Sequence, residues 1–421
     1  MKIAVFTESY PPTVDGVSHL TAKLVEELSR EHEVAVFTLD DREYVERNGA
    51  TIYRFKGTKL RSYPQYRYRI IPPFRRVCRI VREFSPDIIH SQTPFTMGAC
   101  GENAARKLNI PLVTTFHTDL IDFLLEIVRE GNLKSGIPAK AILSSGLGKK
   151  FVTKLINLLS YPAFYSYFVY SDAVTAPSDA VVDILLKNGV EREKLFKIPN
   201  FIETNPEGIS GDNFREKWGI DGFMVLHVGR LSWEKRIHKI LETAAHVEDA
   251  TFVITSHGPL SDDLRKKARE MKLDNVTFTG FLPYRELYGA YDACDVFLSS
   301  APYETFNVSA AQTLAFGKPI IGMNRMGMKE FIKHGYNGFL VEWDSDEVKN
   351  YARYIKLLME DEKLKRLMGR RSLRISKEFD RRKIVRKFVE VYERAETNGY
   401  KMRRYVYALS LFFTLLRATR V

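Results

Sequence analysis

Short, nearly unbroken apolar runs alternate with amphipathic stretches along almost the whole chain, and this alternation limits the fold more than any other feature. A run of four to six residues without a polar face fits a strand buried on both sides. When such runs are separated by helical stretches, the strands pair in parallel and the helices cover both faces of the sheet. The first half reads as strands at residues 3–6, 33–38, 51–55, 87–90, 112–116 and 173–176. Between them lie helices near 17–29, 74–84, 96–108, 146–168 and 178–188. The rhythm then restarts, with strands at 223–228, 251–255, 276–279, 295–299, 319–321 and 338–341. Helices there start near Lys235, Asp262, Tyr284, Phe306, Lys329 and Asp346, and residues 364–379 and 382–395 read as two further helices with strong polar faces. The expected fold is α/β: two doubly wound parallel-sheet domains in tandem.

At 421 residues the chain suits two domains of about 200 residues each. The join falls in the Pro/Asn/Gly-bearing stretch 198–211, a natural hinge. The expected division is residues 1–200, residues 201–375, a helix at 376–395 and a basic, apolar tail at 396–421. Three cysteines at unrelated spacings make neither a disulfide framework nor a zinc site, which suits a reducing, cytosolic setting. No stretch reaches the roughly 18–20 apolar residues that span a bilayer, and the apolar start, residues 3–6, is too short for a signal peptide.

The net charge of +12 is concentrated. Residues 54–82, 131–170 and 401–420 together hold twenty Lys/Arg and no acid, so the remainder of the chain is net acidic. These stretches are rich in aromatic and aliphatic residues, as in Lys149 to Leu159 and the apolar run 405–416. Such segments fit an anionic membrane surface, where a twelve-residue helix can lie in the interface without crossing it. Packing on the protein body with the basic stems spread over it is the alternative.

In open parallel sheets, ligands bind beyond the carboxyl ends of the strands. Four loops there carry candidate chemistry. After the first strand, Asp15-Gly16-Val17 opens a helix, and Gly16 either lets backbone N–H groups approach an anion or serves a turn. Phe116-His117-Thr118 ends another strand, where His117 could meet a hydroxyl or a developing charge. Gly229-Arg230-Leu231 through Lys235 puts two cations at one strand tip, a setting for a diphosphate. Glu304 precedes Asn307 and Val308 at a helix start, with a carboxylate suited to sugar hydroxyls beside amides suited to phosphate. None of this is a GxGxxG, and the nine histidines show no metal spacing.

Together with Ser256-His257-Gly258-Pro259, and with Glu304 running on to Phe316-Gly317-Lys318-Pro319, these loops resemble the retaining glycosyltransferases of family four over residues 1 to about 395. The resemblance implies the GT-B fold, two facing Rossmann-like domains with a cleft between them and a last helix that crosses back to the first domain. It also implies a nucleotide-diphosphate sugar as co-substrate and no cofactor. Arg230, Lys235 and the amide at Gly16 would take the diphosphate. Glu304 would hold hydroxyls of the transferred sugar, Asn307 and Val308 would contact phosphate and sugar through their backbone, and His117 would line the reaction centre near the sugar. Gly280, Phe281 and Leu282 would hold the base.

The family's second glutamate, a ribose ligand, is Gln312 here. A neutral amide still accepts a hydroxyl hydrogen bond, weaker by about 1 kcal/mol without charge assistance. Asp40-Asp41 and Asp262-Asp263 are adjacent acids, and no Asp-x-Asp is read at a strand tip, so metal-independent transfer is expected. The leading reading is a hexosyltransferase on the cytoplasmic face of a membrane, acting on a lipid or lipid-linked acceptor. A soluble polysaccharide or glycoside transferase is one alternative. A nucleic-acid-binding protein using residues 54–82 is another, but it leaves the strand-tip loops without a purpose, so no nucleic acid is expected.

Overall fold

The computed structural model describes residues 1–13, 15–59, 69–70, 72–118, 161–203 and 208–395. The chain divides into two units, one built from Met1–Ile198 with the segment from Ile384 onward, the other from Pro199–Lys383.

The first unit is built on strands β1 (Lys2–Phe6), β2 (Glu33–Asp40), β3 (Tyr44–Asn48) and β4 (Ala50–Lys56). A two-residue pair, β5 (Thr58–Lys59) and β6 (Arg69–Ile70), stands apart, and β7 (Ile88–Ser91), β8 (Leu112–Thr115), β9 (Ala173–Ala176) and β10 (Leu195–Lys197) complete the set. Eight of them form one sheet in the order β10-β9-β8-β7-β1-β2-β4-β3, parallel except for β3 against β4. Helices α1 (Gly16–Leu28), α2 (Phe74–Phe84), α3 (Thr96–Leu108), α4 (Tyr161–Val169) and α5 (Asp179–Lys187) accompany it. Phe6, Phe37 and Phe55 stack beneath α2 and α3, with Val77, Val81 and Met97 closing the core.

The second unit runs α6 (Gly211–Trp218), β11 (Phe223–Val228), α7 (Ile237–Ala244), β12 (Ala250–Thr255), α8 (Ser261–Glu270), β13 (Val276–Gly280), α9 (Tyr284–Ala293) and β14 (Val296–Ser299). It continues through α10 (Val308–Gln312), β15 (Ile320–Met323), β16 (Gly338–Val341), α11 (Glu347–Glu360) and α12 (Glu362–Ser376). Its sheet is wholly parallel, in the order β13-β12-β11-β14-β15-β16. Alternate residues of one strand feed opposite cores: Phe297 joins one apolar cluster, Val296 and Leu298 the other. That is why these strands read as continuous apolar runs.

The last helix, α13 (Arg381–Arg394), begins in the second unit and from Ile384 onward counts with the first. There Phe388 and Tyr392 lie with ring centroids 5.5 and 5.4 Å from that of His90.

Several elements differ from the sequence reading. Strand β3 went unread because its sequence, YVERN, is mostly exposed at a sheet edge. Helix α6 begins inside the supposed hinge: Ser210 caps it, Gly219 ends it at φ +62°, and Phe214 is its one large buried residue. The helix expected near Lys329 is a 3-10 turn, Met326–Glu330, because Gly327 is pressed against the backbone of Thr305 and Phe306. The helix expected from Phe306 starts at Val308 and turns into a 3-10 stretch, Thr313–Phe316.

The basic segment 54–82 is also less uniform than its composition. Arg54 is buried, paired with Glu46 (2.9 Å) and Asp40 (3.4 Å), and donates to the carbonyl of Pro11 (2.7 Å). Arg76 pairs with Glu43 (2.7 Å). Arg75, Arg79 and Arg82 are exposed on α2, opposite the buried Val77, Cys78 and Val81. Residues 60–68, the stretch Lys149 to Leu159 and the tail 396–421 lie outside the described residues. Among those described, no helix is long and apolar enough to cross a membrane.

Candidate functional site

In each sheet one strand lies between neighbours reached by connections running in opposite directions: β1 between β2 and β7, and β11 between β12 and β14. The crevice beyond such a strand is the usual ligand site of a doubly wound sheet. The loops after β1 and β11 are the ones that carry Gly16 and Arg230.

In the second unit, the loops after β11, β12, β14 and β15 are sewn together. Ser300 donates to the carbonyls of Lys235 (2.9 Å) and Arg236 (3.0 Å), and the Gly327 N–H donates to the Glu304 carbonyl (2.9 Å). Gly258 packs on the backbone of Leu231 so closely that any Cβ would collide with it. Lys235 Nζ and Glu304 form an ion pair. Arg230 is aimed by Glu234, which it meets at 2.6 Å, and by the Ser232 hydroxyl. Burial opposes ionisation of Glu234, but Arg230, Lys235 and the Ser232 hydroxyl outweigh it and hold the carboxyl below its usual range.

Asn307 sits at φ +63° and caps α10, its Oδ1 accepting from the Ala310 N–H at 3.0 Å while its Nδ2 donates to Ser299 at 3.1 Å. The bond to Ser299 sets the start of α10 beside the end of β14. Beneath the Arg230 loop, His227 donates from Nδ1 to the Leu298 carbonyl (2.9 Å), and burial with the nearby Lys235 lowers its pKa to about 4. Gly280, at φ +72°, backs onto the His257 ring, Phe281 is 56% exposed and Leu282 is buried.

In the first unit, Asp15 caps α1 by accepting from the Ser18 N–H (2.8 Å). Gly16 has no positive φ, and a Cβ there would meet nothing within 4 Å, so a turn requirement does not explain the glycine. Glu8, the second residue after β1, reaches across to α3. Its carboxylate accepts from the Met97 N–H and the Thr93 hydroxyl, capping a helix whose own N-cap residue, Phe95, supplies no side-chain bond. Burial raises its pKa to about 7 against those hydrogen bonds. His117 is half-buried, bonded through Nε2 to Gln92 Oε1 at 2.6 Å, and burial lowers its pKa to about 4, so the ring is neutral.

In the second unit Arg230, Lys235, Glu304, Asn307 and Val308 therefore lie in linked loops after β11 and β14, whereas in the first Gly16 and His117 follow separate strands, β1 and β8, with β7 between them. The amide of Gln312, expected at a ribose, is engaged with the backbone of Glu203. Nε2 donates to the Glu203 carbonyl (2.7 Å) and Oε1 accepts from the Glu203 N–H (2.9 Å), so both polar atoms hold the segment that follows the first unit. An Asp-x-Asp does follow β16, at Asp344 and Asp346, contrary to the sequence reading. Both acids are exposed; Asp344 accepts from the Asp346 N–H (2.9 Å) and Asp346 pairs with Lys349 (3.1 Å). Among the described residues no three His, Cys, Asp or Glu side chains converge. Sequence reasoning passed over Glu8, Gln92 and Glu234, each within two residues of a strand end or i+4 from a candidate cation.

Two family models match in succession: Glycosyltransferase Family 4 over residues 14–206 and Glycosyl transferases group 1 over residues 211–374. The alpha-monoglucosyldiacylglycerol synthase of Streptococcus pneumoniae is 29% identical over 82% of this chain and 76% of its own. A GDP-mannose-dependent alpha-mannosyltransferase of Mycobacterium tuberculosis is 26% identical over 81% and 84%. Among solved structures, Anabaena HepE in complex with UDP-glucose matches with a TM-score of 0.68 over 94% of this chain and 100% of that one, at 18% identity, a likeness of fold. The two parallel-sheet units are those of the GT-B fold, and the chain belongs to the family-four glycosyltransferases.

Proposed function

We propose that this glycosyltransferase moves a hexosyl unit, with retention of configuration, from a nucleotide-diphosphate sugar to a membrane lipid or lipid-linked acceptor, without a metal ion. The observation that carries the reading is the gathering of Arg230, Lys235, the start of α10 and Glu304 at the carboxyl ends of β11 and β14. A guanidinium, an ammonium and backbone N–H groups together supply the positive field that a departing diphosphate needs.

In the reaction Lys235 turns from Glu304 to a diphosphate oxygen, and Glu304 turns to hydroxyls of the sugar. The exchange gives the carboxylate neutral donors and the ammonium an anion, so neither charge is left unpaired. As the bond to the anomeric carbon lengthens, negative charge grows on the diphosphate facing Arg230 and Lys235. His117, neutral, lines the sugar, the Gly16 amide adds to the phosphate contacts, and the exposed Phe281 ring with Gly280 and Leu282 receives the base. Departure and attack on the same face retain the configuration.

A lipid acceptor is supported by the diacylglycerol named for the S. pneumoniae relative and by Arg75, Arg79 and Arg82 on the exposed face of α2, which suit an anionic surface. The enzyme would then work peripherally on the cytoplasmic face.

The test incubates the full chain with UDP-glucose or GDP-mannose and vesicles containing diacylglycerol or a glycosyldiacylglycerol, in excess chelator. Expected are flotation with anionic vesicles and a glycolipid whose anomeric configuration matches the donor's. Transfer only to soluble glycosides, by a protein left at the bottom of the gradient, gives the acceptor to the soluble reading. Loss of activity in chelator ends the metal-free one.

A further inference from the structure

A buried network behind His117 takes no part in the scheme above. His90, in β7, and Gln92, just after it, are both buried, and His117 follows the neighbouring strand β8. Tyr392 of α13 lies 2.7 Å from His90 Nδ1. A phenol that donates to Nδ1 leaves the imidazole proton on Nε2, where it donates to Thr115 Oγ1 at 2.7 Å, whereas a phenol that accepts puts that proton on Nδ1. Thr115 Oγ1 lies 2.7 Å from Thr175 Oγ1.

Gln92 Nε2 stands 3.1 and 3.0 Å from the two ring nitrogens of His90. Near-equal distances place that amide nitrogen over the face of the ring, where the π surface favours an N–H over a carbonyl. The amide is thereby turned so that Oε1 meets His117 Nε2 at 2.6 Å. A carbonyl oxygen only accepts, so His117 carries its proton on Nε2.

We propose that Gln92 is the positioning residue for His117, fixing its imidazole as the Nε2–H tautomer, and that Tyr392, acting through His90, holds Gln92 in the orientation that does so. The C-terminal helix thus contributes to the site without touching a substrate. The consequence for transfer rests on the proposed function, whereas the tautomer does not.

The test is a long-range 1H–15N NMR spectrum of the histidine-labelled full chain, with the His117 signals assigned by their loss in His117→Asn. Wild-type His90 and His117 should both appear as Nε2–H tautomers. Gln92→Leu should turn His117 into a mixture and lower kcat about thirtyfold, with KM for the donor changed less than about threefold. Tyr392→Phe, which keeps the ring packing, should mix the His90 tautomers and cost kcat about threefold to tenfold. Wild-type His117 protonated on Nδ1 overturns the proposal, and so does an unchanged His117 tautomer in Gln92→Leu; the wild-type spectrum decides should that variant fail to fold. A chain that transfers no sugar but shows the expected tautomers sinks the proposed function and leaves this inference standing.

Discussion

Lys235 Nζ and Glu304 are ion-paired inside the second unit, so the ammonium proposed for a diphosphate and the carboxylate proposed for a sugar hold each other in place. On that proposal the two must part before either meets a donor. Glu304→Ala should therefore lower kcat at least about a thousandfold, yet leave affinity for the nucleotide diphosphate unchanged or slightly higher, because Lys235 is released. Calorimetric titration with the sugar-free nucleotide, set beside the kinetics, checks both halves. Near-normal turnover would remove Glu304 from the site.

Glu234 is held between Arg230 and Ser232, at 2.6 and 2.5 Å. Glu234→Gln keeps the size and one acceptor but frees the guanidinium from its charge partner. KM for the donor should rise about tenfold while kcat moves less than threefold, the pattern of a lost orienting contact. Steady-state kinetics over a range of donor concentrations separate the two parameters.

Gln312→Glu tests the amide pairing with Glu203. A carboxylate can still accept from the Glu203 N–H but faces the Glu203 carbonyl with no proton to give, a loss of about 1–2 kcal/mol in stability. Thermal unfolding should show a drop of a few degrees. Donor affinity should be preserved or improved, since a carboxylate is the better ribose ligand; a large fall in donor affinity with unchanged stability would contradict the pairing.

Two buried histidines, His90 and His227, and the half-buried His117 should weaken the fold in acid. Burial lowers His90 to about 3 and His117 and His227 to about 4, against an ordinary value of 6.5. As pH falls, the unfolded chain takes up these protons first, so their contribution is whole above 6.5 and is lost between 6.5 and about 4. Each costs about 1.4 kcal/mol per pH unit in that window. Urea unfolding at intervals from pH 7 to 4.5 measures the slope.

Glu8 works in the opposite sense. Its folded pKa of about 7 lies above the ordinary 4.5, so the unfolded chain ionises first and stability drains away as pH rises from 4.5 to 7. Glu8→Gln retains an acceptor for the Met97 N–H and should flatten that decline, gaining up to about 3 kcal/mol at pH 7. The same urea series on this variant gives the answer; a decline as steep as wild type means the carboxyl is ionised in place.

What the sequence revealed of the fold follows from burial on both sheet faces. Runs such as residues 223–228 are apolar because Val225 and Leu226 serve different cores, and that pattern is visible without coordinates. Strand β3 and helix α6 were hidden because each buries almost nothing, so neither carries an apolar period. Charged residues in the loops after strands were legible: Arg230, beside Gly229, with Lys235 and Glu304, the last two of which the fold pairs. The pairing of Gln312 was hidden because its residue type says nothing about which backbone it will meet, and Glu203 is 109 positions away. Gln92 was invisible for the same reason, its role being set by a phenol that arrives from the far end of the chain.

Arg54 gives the loop that carries Gly16 a distant dependency. By donating to the Pro11 carbonyl from β4 while Asp40 and Glu46 neutralise it, this guanidinium rivets the loop after β1 to a strand two places along the sheet. With that loop taking phosphate as proposed, damage at position 54 would register as a fault in substrate capture.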